Sequence, residues 1–320
     1  MNNISLILML IISFAYSCKC GDNVECYVKE STLYIEGKGT MYQTNNYYNK
    51  CLWTYNIRKI SNISISDGIT SLGYGLFKNI KTDKIVVPST VTIFGDYCFS
   101  NFQFEDITLS NKLAEIGDYC FFGSSLKGII LSKKIISIGN NAFDSTKISR
   151  IRIPSSLTII SQAAFPYAKL EKIIFEDGVE IIGNKAFRKT LLNNVTFPES
   201  LRDIGREAFA STPIETIVLN DGLETIGEQA FAQTQITELI IPDSVETIDK
   251  HEFALSVNLE KVFIGKNSKN IHVTAFLKCE KVVFDIDEDN QFYEVKDNKI
   301  VKKEFEMKDY INMEKDRNEF

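Results

Sequence analysis

The chain has 320 residues, 44% of them hydrophobic and 24% charged, with a formal net charge of −6. That length exceeds what one hydrophobic core absorbs, so two domains or a repeat array is predicted. The acidic balance, with Lys and Arg scattered and no basic block, argues against a nucleic-acid binder, whose footprint would be positive.

From Ile4 to Tyr16 the chain is apolar apart from Ser5 and Ser13. This is too short to span a bilayer and fits the apolar core of a secretory signal peptide. Ala15 and Ser17 form a small-x-small pair, which predicts a signal peptide over 1–17 with cleavage after Ser17. No later segment is long and apolar enough to cross a membrane, and the C-terminal EMKDYINMEKDRNEF is charged. An exported chain, extracellular or held at a cell surface, is therefore expected.

Seven cysteines suit an oxidising compartment. Cys18, Cys20, Cys26 and Cys51 cluster near the mature N-terminus, and spacing leaves their connectivity open. Paired C-x-x-C spacing is absent, so disulfides are expected there and no metal. Val24–Val28 and Leu33–Glu36 read as two strands around a turn, a capping hairpin within an N-terminal cap at 18–56. Gln43 to Tyr55, rich in Asn and Tyr, is expected to lay aromatics over the first coil.

A strict period begins after that. Phe77, Phe99, Phe121, Phe143, Phe165, Phe187, Phe209, Phe231 and Phe253 are each 22 residues apart, and Phe276 arrives one residue late. Four residues before the Phe stand Gly73, Gly95, Gly117, Gly139, Gly183, Gly205 and Gly227, with Ser161 and Asp249 in the remaining slots. A second recurring run, such as Ile148, Ile151 and Ile153 or Ile236, Leu239 and Ile241, has apolar branched residues at every second place and reads as a short strand with one face inward. Pro88, Pro154, Pro198 and Pro242 end it, because Pro cannot extend a ladder. One such coil cannot bury its own apolar side. Stacked coils would place strand beside strand and Phe beside Phe. The period therefore predicts an α/β repeat, a right-handed leucine-rich-type solenoid over 57–284. Its parallel β-sheet is expected on the concave side and short helical or 3-10 turns on the convex side. Gly, Ser and Asp are expected to cap those helical turns. A C-terminal cap and charged tail follow at 285–320, where acidic Asp285–Asn298 would shield the last coil.

The repeats resemble the BspA-type (Treponema-type) leucine-rich repeats, whose pattern is similar to L-x-x-I-x-I-P-x-S-V-x-x-I-G-x-x-A-F. Leu239 to Ile248 follows it closely. The N-terminal Cys20-Gly21-Asp22-Asn23, the stretch Thr32 to Tyr42 and Trp53 look like the start of such chains. Asn290, Tyr293 and Asp297–Val301 resemble the hairpin-like segment that separates their repeat blocks. Departures are Ser161, Asp249 and Lys266–Val273, where the period is expected to slip and the last coil to be irregular. The resemblance implies a non-enzymatic surface or secreted scaffold that attaches to extracellular-matrix or other host surface proteins.

One side chain per coil should point out of the strand face: Val86, Thr108, Ile130, Arg152, Ile174, Thr196, Val218, Ile240 and Phe263. That largely apolar stripe is the candidate protein-binding site, although branched residues favour strands even when exposed. Arg150 and Arg152, flanked by Lys84 and Lys172, interrupt it with positive charge. Glu105, Glu171, Glu215 and Glu260 line one edge. Asn62 and Asn194 begin N-glycosylation sequons on the same face. His251 and His272 have no acid or nucleophile placed to work with them, so neither catalysis nor a cofactor is expected. Thr146, Thr190, Thr212 and Thr234, with Cys279 in the same place, are expected to bond backbone at a turn. Cys98 and Cys120 read as two small buried thiols. The rival functions are a secreted enzyme or enzyme inhibitor acting through solenoid loops, and a self-associating coat component.

Overall fold

The computed structural model describes residues 18–43, 60–82, 84–104 and 106–303. The signal peptide, most of the Asn- and Tyr-rich loop including Cys51 and Trp53, Glu105, and the charged tail lie outside the described residues.

The cap comes first. Cys18–Gly21, Val24–Lys29 and Thr32–Gly37 form antiparallel strands, and Asn62–Ile65 joins Thr32–Gly37 in parallel, so the cap feeds straight into the first coil. A disulfide between Cys20 and Cys26 links the first two strands. From there the chain winds as a solenoid, each coil adding one Phe to the core. Phe99 and Phe121 stack at 5.0 Å between ring centroids, Phe143 and Phe165 at 5.0 Å, Phe187 and Phe209 at 5.2 Å, and Phe253 and Phe276 at 5.5 Å. The rings from Phe77 to Phe253 are fully buried. Such near-parallel pairs add to the area that each ring removes from water.

Most coils carry two strand segments rather than the single one expected. The longer, such as Arg150–Ile153 or Glu238–Ile241, pairs in parallel with the next coil. The shorter spans two residues just before the Gly slot, such as Asp203–Ile204 paired with Thr225–Ile226. The longer strands are not one continuous sheet. They pair as Lys84–Val86 with Asp106–Thr108, Arg150–Ile153 with Lys172–Phe175, Asn194–Thr196 with Thr216–Val218, and Glu238–Ile241 with Lys261–Ile264 and Val283–Ile286.

The turn side overturns one expectation. No helix forms there among the described residues. From Phe77 to Phe253, residues two before and two after the Phe are left-handed: Tyr97 and Asn101 have φ of 57° and 52°, and Lys185 and Lys189 have φ of 59° and 56°. Alternate N–H groups then take different routes. Those of Cys98, Ser100 and Phe102 close local turns on Gly95, Tyr97 and Phe99, whereas those of Tyr97, Phe99 and Asn101 donate to the carbonyls of Asp118, Cys120 and Phe122 in the next coil. A helix would have spent every N–H inside its own coil. The bonds between coils offset the cost of left-handed non-glycine residues, of order 1–2 kcal/mol each.

Glycine in the repeated slot is likewise not a helix cap. A Cβ on Gly205 would lie 2.8 Å from the carbonyl carbon of Gly183 and 2.7 Å from the amide of Asn184. The slot is small because consecutive backbones nearly touch there.

The period slips earlier than expected. Thr234 still bonds Ser256, 22 residues on, but Gln235 bonds Asn258, 23 residues on. The extra residue is Val257, and the coil at Lys266–Val273 keeps its ladder, Thr247 facing Asn270 and Ile248 facing Ile271. At the C-terminal end Tyr293–Lys296 and Lys299–Lys302 form an antiparallel hairpin. Buried Asn290 pins it: its Nδ2 donates to the Gly265 and Ser268 carbonyls, and its Oδ1 accepts from the Phe292 and Tyr293 amides.

Candidate functional site

Strand geometry decides which side chains reach solvent. Alternate residues point to opposite faces, so Ile151 and Ile153 are buried while Arg150 and Arg152 stand out. The same alternation repeats through the stack. It exposes Val86, Ile130, Arg150, Arg152, Ile174, Val218 and Ile240 on the strand face. Ile130 is 91% exposed, and Val218 and Ile240 are each 67% exposed. Phe263 is half-buried beside Ile240 in the ladder. Lys84, Lys172 and Thr196 are exposed as well, as are Glu171, Glu215 and Glu260 at the edge. Asn62 and Asn194 each begin a strand and are exposed.

Two apolar grooves lie on this face, with a third, of about 620 Å³, between them over Lys172, Asn194 and Thr196. One, of about 970 Å³, is lined by Val218, Ile240, Phe263 and Val283 with Glu238, Lys261 and Asp285 on its rim. Val283 escaped the sequence reading, which ended the array near it; the signal was present, because Val283 faces Lys261 in the same ladder. The other, of about 460 Å³, lies over Ile130 and Ile174 and is bordered by Lys133, Arg150, Arg152, Lys172 and Glu176. Arg152 lies 3.6 Å from Glu176, and Lys261 lies 3.1 Å from Glu238. Glu176 is half-buried and the other three are exposed, and at such positions an ion pair contributes little to stability.

The remaining candidates have structural roles. Thr146, Thr190, Thr212 and Thr234 donate to the carbonyls of Phe143, Phe187, Phe209 and Phe231, closing the turn after the Phe. Cys279, in the same place, donates instead to the Phe253 carbonyl one coil back. Cys98 and Cys120 are buried free thiols, and burial pushes both well above the ordinary thiol range, so neither is poised as a nucleophile. His272 Nδ1 accepts from the Thr274 amide and caps a turn. Among the described residues no three His, Cys, Asp or Glu side chains are grouped to hold a metal, and no helix is long and apolar enough to cross a membrane.

The repeat frame can now be set beside known proteins. The pattern described as BspA type Leucine rich repeat region matches in six copies, over residues 53–169 and 158–283. The chain belongs to the BspA-type leucine-rich repeat family. Among solved structures, it is similar to a leucine-rich repeat protein from Eubacterium ventriosum ATCC 27560, at 22% identity and a TM-score of 0.57, covering 84% of each chain. A leucine-rich repeat protein from Bacteroides ovatus ATCC 8483 is similar at 22% identity and a TM-score of 0.57, covering 82% of this chain and 80% of that one. At that identity the likeness shows a shared fold alone. No curated protein matches the chain.

Proposed function

We propose that this BspA-type chain is an exported, non-enzymatic scaffold that binds a protein at its strand face and so attaches to matrix or host surface proteins. The observation that carries this is the apolar stripe. Val86, Ile130, Ile174, Val218 and Ile240 stand on water-facing strand positions while the core beneath them is already complete. The stripe is unbroken over Val218, Ile240 and Phe263, which stand in successive coils; exposed apolar surface of this kind marks contact sites, and covering one such side chain is worth about 1.5–3 kcal/mol. The apolar leader sequence and the Cys20–Cys26 disulfide support export.

The test is binding of purified matrix and plasma proteins to the folded array and to the variant carrying Ile130→Ser, Ile174→Ser and Ile240→Ser. These residues lie outside the core, so the variant's thermal unfolding should match the parent. The proposal expects binding to fall at least tenfold; unchanged binding refutes it.

A further inference from the structure

We infer that the middle of the strand face is a cleft for an extended acidic segment of a protein partner. This names the partner's chemistry for the face proposed above and rests on that reading.

Three observations converge. In the ladder Arg150 lies directly opposite Lys172. Like charges in that relation repel, and neither has an ion pair among the described residues. The equivalent pair three coils on from Lys172, Glu238 opposite Lys261, is complementary and closes at 3.1 Å. Around the groove four cations, Lys133, Arg150, Arg152 and Lys172, meet one carboxylate, Glu176. A positive island on a chain of net charge −6 attracts an anionic partner and sets its register.

The second observation is a break in the sheet. Gly128–Leu131 occupies the strand position between Asp106–Thr108 and Arg150–Ile153 but forms no strand. It makes no backbone hydrogen bond among the described residues. A Cβ on Gly128 would meet nothing within 4 Å. Its backbone N–H and C=O groups are thus left for an extended peptide lying across the face to take up.

Third, Ile130 stands 91% exposed in this seam with Ile174 two coils away. An apolar anchor among the cations suits a polypeptide, which brings carboxylates and apolar side chains together. A sulfated polysaccharide would leave Ile130 unused.

The experiment is fluorescence anisotropy with a labelled twelve-residue peptide, Glu-Glu-Leu repeated, which presents both residue types on each face when extended. The full chain is compared with Arg150→Glu/Lys172→Glu, with Ile130→Ser, and with Lys250→Glu, an exposed turn residue away from the strand face, as a control, each checked by thermal unfolding. The charge reversal is expected to weaken binding tenfold or more, Ile130→Ser to weaken it several-fold, and Lys250→Glu to leave it unchanged. Absence of binding, equal binding of a Lys-Lys-Leu peptide, or indifference to the charge reversal would overturn the proposal. So would tight binding of a heparin oligosaccharide that ignores Ile130→Ser, which would mark a polysaccharide site. If a matrix protein is lost on the triple Ser substitution yet ignores the charge reversal, the scaffold function stands and the acidic cleft fails.

Discussion

Glu252 occupies in its coil the place that Ala230 occupies one coil before, and neither side chain has exposed surface. Other coils fill this slot with Ala142, Ala164, Ala186, Ala208 or Ala275. Glu252 Oε1 accepts the Asp249 amide at 2.6 Å, while Oε2 has no partner. Burial, with Asp249 nearby, pushes its carboxyl well above the usual carboxylate range.

The sign of the pH effect follows from that shift. A carboxyl whose folded pKa is raised favours the native state while protonated. Its contribution is intact below the unfolded value of about 4.3 and is lost as pH rises toward the folded value. Melting temperature measured from pH 4 to 8 should therefore fall for the native chain as Glu252 ionises. Glu252→Gln should flatten this segment of the profile, and Glu252→Ala should stabilise the last coils at neutral pH by about 1–3 kcal/mol. A profile unchanged by either substitution would contradict a buried acid at this place.

The aromatic spine is tested at its middle. Phe187 stacks on Phe165 at 5.3 Å and on Phe209 at 5.2 Å. Phe187→Ala should cost about 3–5 kcal/mol. Because coils support only their neighbours, the loss should also split one urea transition into two, one for each side of the gap. Retention of a single transition with an unchanged midpoint would show that the ring adds little.

Two glycines should respond in opposite ways to the same change. Gly205→Ala drives a methyl to 2.8 Å from the Gly183 backbone and should destabilise by about 1–3 kcal/mol. Gly128→Ala places its methyl in open space and should be neutral or stabilising by up to about 1 kcal/mol, by restricting the unfolded chain. Chemical denaturation of the two variants side by side decides the point.

Asn290 tests the C-terminal cap. Asn290→Ala removes two donated and two accepted hydrogen bonds to backbone. The hairpin of Tyr293–Lys296 and Lys299–Lys302 should then lose amide protection by about 2–4 kcal/mol, with the Phe143–Phe165 region unaffected. Hydrogen exchange resolved by segment would show both.

The spine was legible because nothing but stacking asks for Phe at every twenty-second place, and Ile151 against Arg152 shows strand alternation within a single coil. The turn side was not. Tyr97 and Lys185 are poor left-handed residues by intrinsic preference, and their conformation is set by where their amides go, into the next coil, which no local pattern displays. Val257 and Leu259 both look fit for a buried place, so only the pairing of Gln235 with Asn258 locates the inserted residue. Gly128 carries no signal in the sequence, since its meaning lies in ladders that fail to form on either side. Glu252 was missed because charge between core positions reads as solvated until its neighbours are known to be small. Along the strand face the side chains that point outward followed from the alternation, whereas the division into grooves depends on which coils pair.

The amides flanking each Phe donate forward along the stack, whereas those at the Gly slot, such as Gly95 to Leu72 and Gly205 to Ile182, donate backward. Peptide dipoles on the two walls are thus opposed. A long helix accumulates partial charge at its poles; here every coil cancels most of its own contribution. Duplicating or deleting a whole twenty-two-residue unit would leave the ends electrically unchanged, so such arrays can vary in length without redesign of their termini.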